Sequence, residues 1–190
     1  APASVMAAWN EINIHERIQA MTELSVEFAK DTSAACAAEL VVGQGRALRN
    51  FLYLFIGTFI GGGLVIDGHL HLGPRGNAGA VGSLPLGGAR GAEPIQLLHK
   101  ASGIVLEQAF KDAGAPGVAA HDERALSVDL RALTEAWLDG ACPALALTIA
   151  SSTAMLDLDA VVIDGSLDRA LIDHVIQRTE QTLDGYSWEG

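Results

Sequence analysis

The stretch Phe51-Leu52-Tyr53-Leu54-Phe55-Ile56-Gly57-Thr58-Phe59-Ile60-Gly61-Gly62-Gly63-Leu64-Val65-Ile66-Asp67-Gly68 decides the fold. Its first six residues are aromatic or apolar and read as a buried strand. Residues 57–63 read as a glycine-rich turn, because glycine reaches positive φ without a Cβ penalty. Residues 64–67 read as a second strand, Gly68 as a turn and residues 69–72 as a third strand. The result is a glycine-hinged antiparallel meander. Glycines also let backbone N–H groups come close to a phosphate. Taken alone that signal is weak, since the run is neither a Walker loop nor a dinucleotide fingerprint.

Upstream, residues 11–22 carry apolar side chains at Ile12, Ile14, Ile18 and Met21, which predicts a short amphipathic helix. Residues 24–29 alternate loosely and predict a strand. Asp31, Thr32 and Ser33 are N-cap types ahead of an alanine-rich run, so a helix is expected to start there and to stop at Gly43 or Gly45. Downstream, residues 73–90 form a loop rich in glycine and proline, and residues 95–113 a helix capped by Gly114. Two helices are expected at 127–138 and 141–155, the second apolar enough to belong to the core, with Pro143 in its first turn. Residues 158–163 read as a buried strand closed by Asp164-Gly165, and residues 166–183 as a final amphipathic helix. This order predicts an α/β domain: a mixed sheet covered by helices.

The chain has 190 residues, 49% hydrophobic and 18% charged, which suits a folded core. Its formal charge of −11 repels phosphate backbones, so no grip on nucleic acid is expected from this chain itself. Cys36 and Cys142 each sit among small apolar residues and read as buried reduced thiols. The most apolar stretch, residues 51–66, is interrupted by glycines and shorter than a membrane helix needs. No signal peptide is visible, and a cytoplasmic location is expected. Because the first residue is Ala1, the chain is expected to be a piece of a longer one.

Three segments could carry chemistry. Phe28-Ala29-Lys30-Asp31 ends a predicted strand in an acid that opens a helix. A carboxylate there serves either as a general base or as a simple N-cap. The second segment is the 57–63 run. The third, Gly73-Pro74-Arg75-Gly76-Asn77-Ala78-Gly79-Ala80-Val81-Gly82-Ser83, is built of small residues that allow a ligand or another backbone to approach. His69 and His71 share a strand face, but no carboxylate or cysteine is placed with them, and they read as exposed. Trp9, Trp137 and Trp188 are too far apart for a stacking surface and read as core or interface residues.

The order and spacing of these segments resemble the ROK family (repressors and sugar kinases). Asp31 precedes an alanine-rich helix, Gly57-Thr58-x-Ile60-Gly61-Gly62-Gly63 follows, then Val65-Ile66-Asp67-Gly68, then Gly76-Asn77-Ala78-Gly79-x-x-Gly82. Residues 159–166, Asp-Ala-Val-Val-Ile-Asp-Gly-Ser, look like the strand and glycine turn beside the nucleotide purine in family kinases. The resemblance implies the second lobe of an actin-like ATPase (ribonuclease H-like) fold over residues 1–190, incomplete at both ends relative to the family.

Carried over by position, Asp31 matches the family's catalytic base, and Lys30 stands where a sugar-binding asparagine is usual. Gly57, Thr58, Gly61 and Gly62 match the phosphate hairpin, with Phe59 in place of a glycine. Asn77 fits a sugar-contacting position. Ala80 replaces a glutamate that accepts hydrogen bonds from sugar hydroxyls, and Ser83 replaces a zinc-binding histidine. Gly165 marks the nucleotide-side turn. Glu93 is a candidate stand-in for a further sugar-contacting glutamate. The family's cysteine segment is missing, so no metal and no zinc are expected.

The resemblance implies a cytoplasmic, sugar-binding chain that dimerises and touches neither membrane nor, by itself, DNA. The departures at Lys30, Phe59 and Ala80 favour the effector-binding lobe of a transcriptional regulator over a working kinase, with no cofactor in this fragment. The alternative is a fragment of an ATP-dependent sugar kinase for a hexose or amino sugar, using Mg-ATP with Asp31 as base. A scaffold kept for dimer contacts is a third possibility.

Overall fold

A computed structural model describes residues 7, 9, 11–87 and 94–186. The chain divides into two compact units, Ala1–Asp31 and Thr32–Gly190. In the first unit, helix α1 (Ile14–Met21) starts at Asn13, whose side chain accepts from the Glu16 N–H at 3.2 Å. The strand expected at residues 24–29 is absent. Among the described residues that segment has no ladder partner, and side chains of α1 satisfy its backbone instead. The Gln19 amide donates to Leu24 O at 2.9 Å and accepts from Val26 N–H at 3.1 Å, while His15 Nε2 lies 2.8 Å from Val26 O.

The second unit is a four-stranded sheet of order β3-β2-β1-β4. Strands β1 (Phe51–Ile56), β2 (Ile60–Ile66) and β3 (His69–Leu70) form the antiparallel meander, and β4 (Ala160–Gly165) lies parallel to β1. Asp159 fixes the register of that distant pairing. Its carboxylate accepts the Arg49 and Asn50 N–H groups at 3.0 and 2.8 Å, and its own N–H donates to Asn50 O at 2.8 Å.

Strand alternation gives the sheet two apolar faces. Phe51, Tyr53 and Val65 meet Cys36 of helix α2 (Asp31–Val42). Leu52, Leu54, Ile56 and Ile60 face a larger core with helices α3 (Leu98–Ala101), α4 (Gly103–Asp112), α5 (Arg131–Leu156) and α6 (Arg169–Leu183). Cys36 and Cys142 are buried and unbridged, and burial pushes the Cys36 thiol up to about 11. Trp137 lies in the core, whereas Trp9 is half exposed and Trp188 falls outside the described residues. No helix among the described residues is long and apolar enough to cross a membrane.

Several boundaries differ from those expected: Asp164 and Gly165, expected to close the last strand, are instead its final residues, paired with Phe55 and Ile56. The turn of the β1–β2 hairpin is only Gly57-Thr58-Phe59, and the glycine run belongs to β2, with Ile56 opposite Ile60. The helix expected over 95–113 breaks at Ser102. This buried residue is extended, with φ −77° and ψ 145°, and its hydroxyl accepts the Ile60 N–H at 3.0 Å. The two helices expected at 127–138 and 141–155 are one, α5, and Pro143 sits inside it on the exposed side. One buried stripe (Trp137, Leu138, Ala141, Cys142, Leu145, Ile149) runs the length of α5, and that burial outweighs the local signals at Gly140 and Pro143.

Candidate functional site

The glycines of β2 are the places where three elements meet. A Cβ built on Gly61 would lie 2.6 Å from Thr32 Cγ2, and one on Gly63 would lie 2.5 Å from Cys36 Cβ. Thr32 and Cys36 are four apart on α2 and so share a helix face, while Gly61 and Gly63 share a strand face. The helix thus lies directly on the strand, and Asp31 is the residue before Thr32. On the other face, a Cβ on Gly62 would meet Tyr53 O at 2.5 Å and Gly79 O at 2.9 Å. Gly79, at φ +76°, would bring a Cβ to 2.7 Å from Gly63 Cα, and Gly82 one to 2.5 Å from Ile60 O. The 76–82 loop therefore runs backbone against backbone along β2. Gly61 and Gly62, matched above to the phosphate hairpin, are occupied on their Cα side by this packing.

The loop holds Asn77 and Ala80 beside an open cavity of about 320 Å³. Leu52, Leu64 and Val81 form its buried floor, and Ser151 and Ser152 of α5 line its wall. β3 pairs only with Val65 and Ile66, so among the described strands Gly61–Gly63 have ladder partners on β1 alone. The glycine edge of β2 thus sits with the start of α2 on one face and the Asn77–Ala80 loop on the other.

A second cluster forms at the far end of β1. Gly57 O accepts the Gly103 N–H at 2.8 Å, and Thr58 O accepts the Ile104 N–H at 3.0 Å. These donors are first-turn N–H groups of α4, which have no partner inside their own helix. No peptide here is cis, and in a trans peptide the N–H points opposite to the C=O. The N–H groups of Thr58 and Phe59 therefore face away from α4, and both residues are exposed. Two donors aimed outward from one turn are what an anion requires. Gly165 completes this end: a Cβ there would fall 2.3 Å from Ile56 O, and Ser166 N–H donates to that same oxygen at 3.0 Å. Phe59 is 61% exposed, so its ring projects outward instead of filling the turn.

Lys30 and Asp31 are exposed residues at the boundary between the two units, with Asp31 heading α2. His69 and His71 are exposed, and His69 Nδ1 lies 2.9 Å from Asp67 O. Glu93 lies outside the described residues. Among the described residues no group of three or more His, Cys, Asp or Glu could hold a metal ion.

Sequence reading missed Ser102, Gly103 and the pair His121–Glu107 next to this end. Ser102-Gly103 was legible as a helix start. The histidine pair was not, because its members stand on different elements and no spacing rule links them.

The profile described as "ROK family" matches residues 4–189. The bifunctional enzyme NanE/NanK of Brucella melitensis is 31% identical over 175 residues, covering 90% of this chain and 32% of that protein. The N-acetylmannosamine kinase of Vibrio cholerae is 26% identical over 161 residues, 82% of this chain and 55% of that one. The chain thus spans about a third to a half of the length of these curated relatives. Among solved structures, a ROK hexokinase from Thermus thermophilus matches with a TM-score of 0.70 at 25% identity, covering 94% of this chain and 64% of that one. A ROK family transcriptional regulator also superposes, and at 22% identity it speaks for the fold alone. The fold is that of the actin-like ATPases, as the sequence led us to expect. With its profile match across nearly the whole length and its paired glycine-lined strand and loop, this chain belongs to the ROK family.

Proposed function

We propose that this chain is part of an ATP-dependent sugar kinase that phosphorylates a hexose or an amino sugar. The sequence favoured a regulator's sensor lobe. The relatives shift the weight to the kinase, since those matched along most of this chain include a kinase and a hexokinase. One observation carries the reading. The hairpin tip has its carbonyls tied into α4 and its Thr58 and Phe59 N–H groups turned outward, next to Gly165 at the end of β4.

In this reading the residues present fit Mg-ATP: the outward N–H groups would hold phosphate oxygens, while Gly165 lets the end of β4 close against Ile56 O beside them. The nucleotide, when bound, supplies the phosphoryl group, with magnesium screening its charge. Asp31 takes the proton from the attacking sugar hydroxyl. Asn77 donates to and accepts from sugar hydroxyls, and Lys30 adds donors only. The tip fixes the phosphates by backbone alone, so positioning requires no side-chain ordering.

The test is sugar-dependent ADP release by the full-length protein across hexoses and amino sugars. Asp31→Asn should lower turnover by at least about a hundredfold while leaving sugar affinity within a few-fold. Equal turnover in the variant would remove Asp31 from the chemistry.

The regulator remains a second reading because of Phe59 and Ala80. A bulky ring stands at the tip and a methyl group stands where the family places an acceptor. A helix-turn-helix domain upstream of Ala1 in the parent protein would favour it.

A further inference from the structure

We propose that His121 is a positioning residue for the nucleotide end of the sheet: donating from both ring nitrogens, it clasps the turn after β4 to helix α4 and so holds the hairpin tip. The functional meaning rests on the kinase reading, while the clasp stands on geometry.

His121 Nδ1 lies 2.8 Å from Ser166 O, and Nε2 lies 3.0 Å from Glu107 Oε1. Both partners are oxygens: a carbonyl, which can only accept, and a carboxylate, which when ionised also only accepts. A neutral imidazole has one N–H and would turn a lone pair toward one of them, so only the imidazolium satisfies both. The side chains are 25% and 16% exposed, which limits screening by water.

The two bonds close a circuit. Ser166 N–H is tied to Ile56 O at the end of β1, and the next two carbonyls, Gly57 and Thr58, are tied to the first turn of α4. Glu107 is one turn further along that helix, and His121 returns from it to Ser166. Breaking the histidine link leaves the tip held to α4 and to the β4 turn, with the apolar packing of Leu167 against Gly103 as the remaining side-chain tie described between α4 and that turn.

Charges around the ring agree with this. From α4 come Glu107 and, behind it, Lys111, 3.5 Å from Glu107 Oε2. From the ring's own segment comes Asp122, partly exposed and paired with Arg124. From the start of α6 comes Asp168, whose carboxylate caps Ala170 and Leu171 and whose N–H reaches Ala120 O at 3.4 Å. The hydrogen bond to Glu107 raises the His121 pKa against the opposing effect of burial, and the hydrogen bond from His121 lowers that of Glu107.

The signs follow. A raised histidine contributes fully below the ordinary imidazole value and is lost as pH rises through its own. A lowered glutamate contributes above the ordinary carboxylate value and is lost as pH falls through its own. The clasp is closed between the two.

The experiment is a pH titration of the full-length protein, read by NMR of the histidine rings and by exchange of the Gly103 and Ile104 amides. His121 should titrate above the ordinary imidazole value. As it deprotonates, the two amides should lose about tenfold protection beyond the intrinsic change, and affinity for a non-hydrolysable ATP analogue should fall in the same step. His121→Gln should abolish the step, and Glu107→Gln should return His121 toward the ordinary value. Should His121→Gln not fold, the wild-type titration and Glu107→Gln decide. An ordinary or lowered His121 value, or a step that survives His121→Gln, overturns the clasp. Nucleotide binding without the step sinks the clasp and keeps the kinase; the step without nucleotide binding does the reverse.

Discussion

Gly79 and Gly76 both have positive φ, at +76° and +65°, yet they differ in what surrounds them. A Cβ on Gly76 meets nothing within 4 Å, whereas one on Gly79 collides with the backbone of Gly63 and Leu64. Gly76→Ala should therefore cost only left-handed strain, about 1 kcal/mol, and Gly79→Ala about 2–4 kcal/mol. Urea denaturation of the two variants measures the difference, and equal costs would show that the loop does not press on β2 as described. Ala80 belongs to the same scale. Beside the cavity, Ala80→Glu would restore two acceptor oxygens and should tighten sugar binding about tenfold in calorimetry. Asp31, Asn77 and Ala80 were offered as candidates by the family resemblance, and that Asn77 and Ala80 line one cavity appears only in the structure. That Gly61 and Gly63 match Thr32 and Cys36 was not, because the fit of a two-residue period to a four-residue period appears only once the helix is laid on the strand.

At the level of elements, the meander and the helices flanking it were readable from apolar runs and glycine punctuation. The errors share one feature: contacts with residues outside the local stretch overrode a local signal. Ser102 breaks a helix because its hydroxyl accepts the Ile60 N–H, a bond between residues far apart in sequence. The segment at 24–29 has strand-like composition but no neighbouring strand, so side chains of α1 satisfy it. Pro143 did not end a helix, because the buried stripe of α5 continues past it. Proline in a helix interior removes one hydrogen bond and crowds the preceding turn. Pro143 is exposed and packs against little, so Pro143→Ala should stabilise the protein by about 1–3 kcal/mol. Thermal denaturation would show it as a raised Tm. A lowered Tm would mean that the proline shapes α5 for a contact made elsewhere.

For the molecule as a whole, the proposed function assigns two different tasks to neighbouring parts of one hairpin, its tip and the glycine stretch that follows it. The Gly61–Gly63 edge adjoins the loop with Asn77 and Ala80, and the Gly57–Phe59 tip adjoins Gly165 and the start of α4. β4 joins β1 only after a long excursion, so the grouping of Gly165 with the hairpin tip could not be assembled from local pattern and was an expectation drawn from the family resemblance. The central claim is that the tip accepts the phosphates of a nucleotide. Calorimetry of the full-length protein with a non-hydrolysable ATP analogue, with and without sugar, tests this most directly. The account predicts a dissociation constant in the micromolar range or below, tightened by sugar and weakened when Gly57 is replaced by a bulky residue. Saturable sugar binding with no nucleotide binding at millimolar analogue would contradict it.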